Sequence, residues 1–240
     1  MPPTVRRGYD PQDQAWFSGP GLVRLQTAEQ EVVWLLDRDY PLSSVLSLVG
    51  GHHQLSARQR TALQRAAASQ AVCRLRQAKQ RPLAAGCLGD VAIDGLNLII
   101  TLETALSGSV LIRGADGVLR DLAGLRGTYR LISQTDQAID LLGQSLMDLN
   151  AAAAHFYLDA PVSNSGRLRQ RILERSSGWG LPVRVDLVTD PDTLLAGLDC
   201  VVSSDSVILD RCAGWFSLAA KLVADRIPQA WIVDLSGHSC

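Results

Sequence analysis

Aromatic residues are scarce in this chain. They make up 5% of its 240 residues, whereas hydrophobic residues together reach 47%. A core of this composition is filled by aliphatic side chains and alanine. Long apolar runs are also missing. None reaches the roughly 18–20 residues of a membrane span, and the opening MPPTVRRGYDPQDQ lacks the apolar stretch of a signal peptide. These absences point to a cytoplasmic protein with no membrane partner. Cysteine is sparse and scattered: Cys73, Cys87, Cys200, Cys212 and Cys240, with no C-x-x-C pair. An odd, dispersed set argues against a disulfide framework and a structural zinc site. Small buried hydrophobes are the simpler reading. No G-x-S-x-G, H-E-x-x-H, G-x-G-x-x-G or G-x-x-x-x-G-K-[ST] occurs, which removes several hydrolase, zincin, dinucleotide and ATPase readings.

Negative charge is missing locally. No carboxylate occurs between Asp39 and Asp90, a stretch that holds Arg58, Arg60, Arg65, Arg74, Arg76, Lys79 and Arg81. Net charge is −1 overall, but residues 1–82 carry +5 and residues 83–240 carry −6. A basic module beside an acidic one suits a phosphate-bearing partner. His52 and His53 in the same stretch follow Gly50-Gly51, which assigns them to a helix C-terminus rather than to a metal. His155 and His238 sit in no recognisable ligand pattern.

Helical periodicity runs through residues 21–80. Leu22, Leu25, Val32, Val33 and Leu36 share a stripe, and Pro41 opens a short helix stopped at Gly50-Gly51. Ser56 then caps one long basic helix reaching about residue 80. These elements form a small all-helical module over 1–82. After residue 86, short apolar runs alternate with helical segments. DVAID, AHFYLDA, VRVDLVTD, DCVVSSD and AWIVDLS read as strands, and Asp116-Gly117 marks a hairpin. WFSLAAKLVADRI reads as helix. The expected fold of 83–240 is therefore α/β, three-layered, with a mainly parallel sheet.

Four successive strands of that pattern finish in a carboxylate: Asp94, Asp159, Asp190 and Asp205. A parallel sheet brings such ends to one edge, where sites form at the switch in strand order. Crowded carboxylates repel one another unless a hard divalent cation sits among them, so Mg²⁺ or Mn²⁺ is the expected cofactor. Aspartate also caps helices, and Asp190, followed by Pro191, has that look most clearly. Glu103, inside LIITLETAL, is expected to be paired, exposed or metal-linked, because a lone buried carboxylate is costly, and a partly exposed helix residue is the plainest of the three. PVSNSGRLRQR joins a strand to a helix. Its Ser163, Asn164 and Ser165 offer hydroxyls, an amide and N–H groups to an anion, with Arg167 and Arg169 following. A plain serine cap is the alternative.

VAIDGLN resembles the first strand of PIN-like and NYN-type nucleases, VVSSDSVIL is similar to their fourth-strand turn, and YLDAPVSNSG resembles their second-strand aspartate loop. YPLSSVLSLVGG resembles the helical module of an uncharacterised prokaryotic domain-of-unknown-function family (number four-three-four), a likeness that extends over about residues 20–235. The resemblance implies a PIN-like fold. It matches Asp94, Asp159 and Asp205 to metal acids, Asn97 to the neighbouring amide and Asp210 to a further acid. Asp121, Asp136 and Asp140 are loose matches to an acid on a middle helix, and Ser204 stands where adjacent acids can occur. The implied function is a metal-dependent nuclease acting most plausibly on RNA. Arg74, Arg76 and Lys79 would join the Ser163–Arg169 segment in gripping the backbone. DNA as a substrate and a homo-oligomeric state stay open. The alternative is a non-catalytic RNA- or protein-binding module on the same fold, and a small-molecule or nucleotide enzyme is a third reading.

Overall fold

The computed structural model describes residues 5–84, 88–124 and 127–237. The N-terminal part holds α1 (Asp13–Trp16), α2 (Gly19–Leu36), α3 (Leu42–His52), α4 (Ala57–Ala66) and α5 (Gln70–Lys79). Next come β1 (Asp90–Asp94), α6 (Gly95–Leu106), β2 (Leu111–Arg113), β3 (Leu119–Asp121), α7 (Ser133–Asp148), β4 (Ala153–Asp159) and α8 (Ser165–Ser176). The chain finishes with β5 (Val183–Val188), α9 (Pro191–Ala196), β6 (Val201–Val202), α10 (Ser206–Arg211), β7 (Trp215–Phe216), α11 (Leu218–Arg226) and β8 (Ile232–Asp234).

Two expectations about the helices need correction. The long basic helix is broken in two. Ala67 leaves α4 with an extended ψ of 134°, and the Ser69 side chain caps α5 by accepting from the Val72 N–H. A serine hydroxyl offers the backbone an alternative to the helical ladder, and that competition favours a new start. Conversely, α3 runs straight through Gly50 and Gly51. Gly50 is there for close approach: a Cβ would lie 2.7 Å from a guanidinium nitrogen of Arg60. The helix stops after His52, and Gln54 turns the chain with a φ of 49°.

The inner faces of these helices do not close a core alone. Leu25, Val32, Val45, Val49, Leu63 and Ala66 pack with Val110, Ile112, Leu122 and Val233. Those partners belong to a small sheet of order β3-β2-β8 and its flanks. There β2 and β3 form the expected antiparallel hairpin, with Gly117 at a φ of 78°. The final strand, β8, pairs with β2 rather than joining the main sheet.

The main sheet has five parallel strands in the order β5-β4-β1-β6-β7. Val91, Ile93, Phe156 and Val202 face a core shared with α6, α7, α8 and α11. Val201 and Trp215 face the opposite side, against Leu195 of α9 and Ile208 and Leu209 of α10. Helices on both faces make three layers, as the alternation of short strands and helices predicts. The two-residue β7 replaces the start of a predicted helix: Trp215 and Phe216 alternate between the two cores while pairing with Val201 and Val202. Aromatic residues fit such a pleated, buried position.

Candidate functional site: an acidic sheet edge

The strand order places the switch point at β1. From it, β4 and β5 build outward on one side, and β6 and β7 on the other. Crevices at the carboxyl ends of strands form at this reversal. Asp94 ends the central strand and Asp159 ends its neighbour β4, while Asp190 and Asp205 follow β5 and β6 into α9 and α10. All four therefore lie along one edge of the parallel sheet.

Three of the four also cap helices. The Asp94 side chain accepts from the Asn97 N–H, Asp190 from that of Thr193, and Asp205 from those of Val207 and Ile208. Asp159 caps nothing, since Asn164 opens α8. Capping occupies Oδ1 of Asp94 and Asp205. The Ser203 hydroxyl donates to Oδ2 of Asp94 at 2.8 Å and accepts from the Asp205 N–H at 3.0 Å, so it ties the two acids together. Asn97 plays a similar part: its Oδ1 accepts from the backbone N–H and the hydroxyl of Ser204.

The edge is electrostatically strained. Burial pushes the Asp94 carboxyl up to about 7; the charges of Asp192 and Asp205 push the same way, and the Ser203 hydroxyl pulls against them. Burial raises Asp192 to about 6, with Asp205, Asp159 and Asp190 adding to it. Asp159 is raised by burial and then by Asp190. These mutual effects gather five acids around one edge. Asp192 is the member that sequence reasoning missed. It stands in the first turn of α9, two residues after a capping aspartate. Its signal was there, but a second acid at a helix start ordinarily only answers the helix dipole.

Other expected site residues lie elsewhere. Asp210 pairs with Arg76 at 2.7 Å. Arg76 is itself buried and also holds Asp116, so it offers no free charge to a nucleic acid. Lys79 donates to the Leu209 carbonyl, and only Arg74 of that trio is exposed, against Gln70. Three more of the basic stretch are paired, Arg58 with Asp13, Arg65 with Asp121 and Arg81 with Asp199, while Arg60 donates to the Leu55 carbonyl. A carboxylate-free sequence says nothing of carboxylates that fold onto it from a distance. Asp136 and Asp140 are taken by Arg171 and Arg175. Glu103 is fully buried, not partly exposed. It is satisfied by Arg7 at 2.7 Å and by the hydroxyls of Tyr129 and Thr135.

The Ser163–Arg169 segment sits at the N-terminus of α8, on the same edge. Asn164 has a left-handed φ of 68° and donates to the Tyr129 carbonyl. The Ser165 hydroxyl is buried with no hydrogen-bond partner. Arg167 is exposed, and Arg169 donates to the Val185 carbonyl. His155 has partners that its sequence pattern did not announce: Asp186 at 2.7 Å and the Tyr157 hydroxyl at 2.9 Å. Cys73 and Cys212 are buried and Cys200 half-buried, all as free thiols. Cys87, Cys240 and His238 fall outside the described residues. Among the described residues, no helix is long and apolar enough to cross a membrane.

The α/β half, residues 87–221, matches the model of the family described as Domain of unknown function (DUF5616). The chain belongs to this family. Residues 24–79 match a second model, Protein of unknown function (DUF434). The likeness to that second family is thus matched on the helices alone, while the DUF5616 model covers all five acids of the edge, from Asp94 to Asp205. The chain is also similar to an uncharacterized protein of Methanocaldococcus jannaschii. The two are 31% identical over 206 residues, which is 86% of this chain and 96% of the relative. No solved structure matches.

Proposed function

We propose that the chain is a divalent-metal-dependent phosphodiesterase, with RNA as its first substrate class, working at the carboxyl edge of a PIN-like sheet. The observation that carries this reading is the crowding of Asp94, Asp192, Asp205 and Asp159 at the switch point, with the Asp94 carboxyl disfavoured as a charge by burial first and by Asp192 and Asp205 after it. A fold gains nothing from such repulsion, so a cation that relieves it is the economical explanation.

The donor set fits a hard ion. It consists of carboxylate and hydroxyl oxygens, which suit Mg²⁺ or Mn²⁺ over softer metals. Among the described residues, no three edge acids bring ligand atoms within 4.8 Å of one another. That spacing suits Mg²⁺, which binds through one or two carboxylates and keeps several waters. Asp94, Asp192 and Asp205 would hold it, at most two of them directly and the rest through its waters. When bound, the ion lowers the pKa of a water and stabilises charge on the phosphate. Ser203 fixes Asp94 relative to Asp205, and Asn97 fixes the Ser204 turn. At the start of α8 the N–H groups of Ser163 and Ser165 are taken by the Gly127 and Val162 carbonyls, so the unpartnered Ser165 hydroxyl and the exposed Arg167 are what it offers to a strand backbone. The test is hydrolysis of mixed RNA and DNA by the full chain with Mn²⁺. Wild type should cleave, and Asp94→Asn and Asp192→Asn should fall to background. Equal cleavage by all three would refute the reading.

A second reading is a non-catalytic module that grips a protein rather than RNA. The internal pairing of Arg58, Arg65, Arg76 and Arg81 favours it, since little of the basic stretch remains for phosphates. It predicts no hydrolysis under the same conditions.

A further inference from the structure

We propose that Glu31, His52 and His53 form a binding site for a Zn²⁺-class transition metal, separate from the acidic edge and different in chemistry. Glu31 lies on α2, His52 ends α3 and His53 is its C-cap. One ligand atom from each of the three lies within 4.8 Å of the other two, and among the described residues no other group of histidine, cysteine or acidic side chains meets that condition. The His53 Nε2 atom already sits 2.9 Å from the Glu31 carboxylate. The two imidazoles meet edge to face, with centroids 4.9 Å apart. Tetrahedral ligands on bonds of about 2.0 Å stand roughly 3.3 Å from each other, so small side-chain rotations close the set.

Three further features favour an ion here. Two imidazoles and one carboxylate make a donor set that suits zinc, and three protein ligands leave a fourth position open. The ion would sit at the C-terminus of an eleven-residue helix, where the negative end of the helix dipole favours positive charge. Glu31 and His52 also line a groove of about 590 Å³ whose walls include Trp34, Leu48 and Val49. Trp34 and Leu48 are exposed. A metal held by these two residues lies in the groove wall, where its open position meets a ligand entering the groove. Glu31 reaches His53 from another helix, 22 residues away in sequence, which is why the sequence pattern alone reads the pair as an ordinary helix end.

The test is Zn²⁺ and Co²⁺ binding to the full chain in excess Mg²⁺, which occupies oxygen-rich sites. Wild type should bind one equivalent, and Co²⁺ should give the intense visible bands of a four-coordinate ion without sulfur-to-cobalt charge transfer. His52→Asn, His53→Asn and Glu31→Gln should each lose more than the roughly 10–100-fold that removing an outer partner of a metal ligand costs. Asp94→Asn should bind as wild type does. Circular dichroism checks that each variant keeps its helices, and the wild-type Co²⁺ spectrum decides independently of them. A sulfur band, six-coordinate cobalt, no binding, or equal binding by the histidine variants would overturn the proposal. Loss of RNA cleavage would not touch it.

Discussion

Asp94 does two things with one carboxyl. It caps α6 through Oδ1 and shares Ser203 with Asp205 through Oδ2. Its folded pKa, about 7 against an ordinary 3.8, means that the fold disfavours the charged form. The stability linked to this group is complete below pH 3.8 and is lost as pH rises through about 7. Asparagine caps nearly as well as aspartate and carries no charge. Asp94→Asn should therefore stabilise the metal-free protein at pH 8 by about 1–3 kcal/mol, with no gain at pH 4, as read from denaturant midpoints. Glu29 follows the same sign. It is buried, its Oε1 has no partner, and burial, then Asp234, pushes it up to about 7 from 4.5. Glu29→Gln should remove a separate part of the stability loss between pH 4.5 and 7, and a wild-type pH slope in that variant would contradict this. The four strand-end acids could be read from the sequence because a parallel sheet maps equivalent strand ends to one edge. Asp192 is passed over, because an acid in the first turn of a helix ordinarily only answers the helix dipole.

At the scale of elements, the basic helices act as fasteners. Arg76 of α5 lies between Asp116, in the β2–β3 turn, and Asp210 of α10. Arg76→Ala strips the buried Asp116 of one of its two guanidinium partners and leaves it Arg120, so it should destabilise the fold by about 1.5–3 kcal/mol. Arg74→Ala, on the exposed face, should change stability by less than about 0.5 kcal/mol. Chemical denaturation of the two variants separates a fastener from a binding face. In α7, Gly143 faces Trp179, and a Cβ would meet the indole at 2.1 Å. Gly143→Ala should cost about 1–3 kcal/mol through overpacking, despite the better helix propensity of alanine. Most elements were legible in the pattern: β1, β4, β5 and the helices between them follow it closely. The break at Ala67, the strand at Trp215 and the desertion of β8 to the small sheet were not. Each is decided by a tertiary partner, and periodicity carries no information about partners.

The molecule as a whole packs its apolar residues in three clusters, one of which joins the helical segment to the small sheet. The helices of that segment pack on β2 and β8, while the parallel sheet presents acids at its switch point. On this reading the acidic edge has one task, holding a hard cation, and the imidazole cluster on α2 and α3 is a second centre with its own metal. Melting the full chain with and without Mn²⁺ probes the first task without needing the right substrate. The experiment uses wild type, Asp94→Asn and Asp192→Asn, with Zn²⁺ present throughout so that the histidine cluster is already filled. An ion that binds the native state alone raises its stability in proportion to the logarithm of its concentration over Kd. Wild type should gain melting temperature with Mn²⁺, and both variants should gain far less. If Mn²⁺ shifts all three proteins alike, or none of them, then Asp94 is only a helix cap and the acidic edge holds no ion.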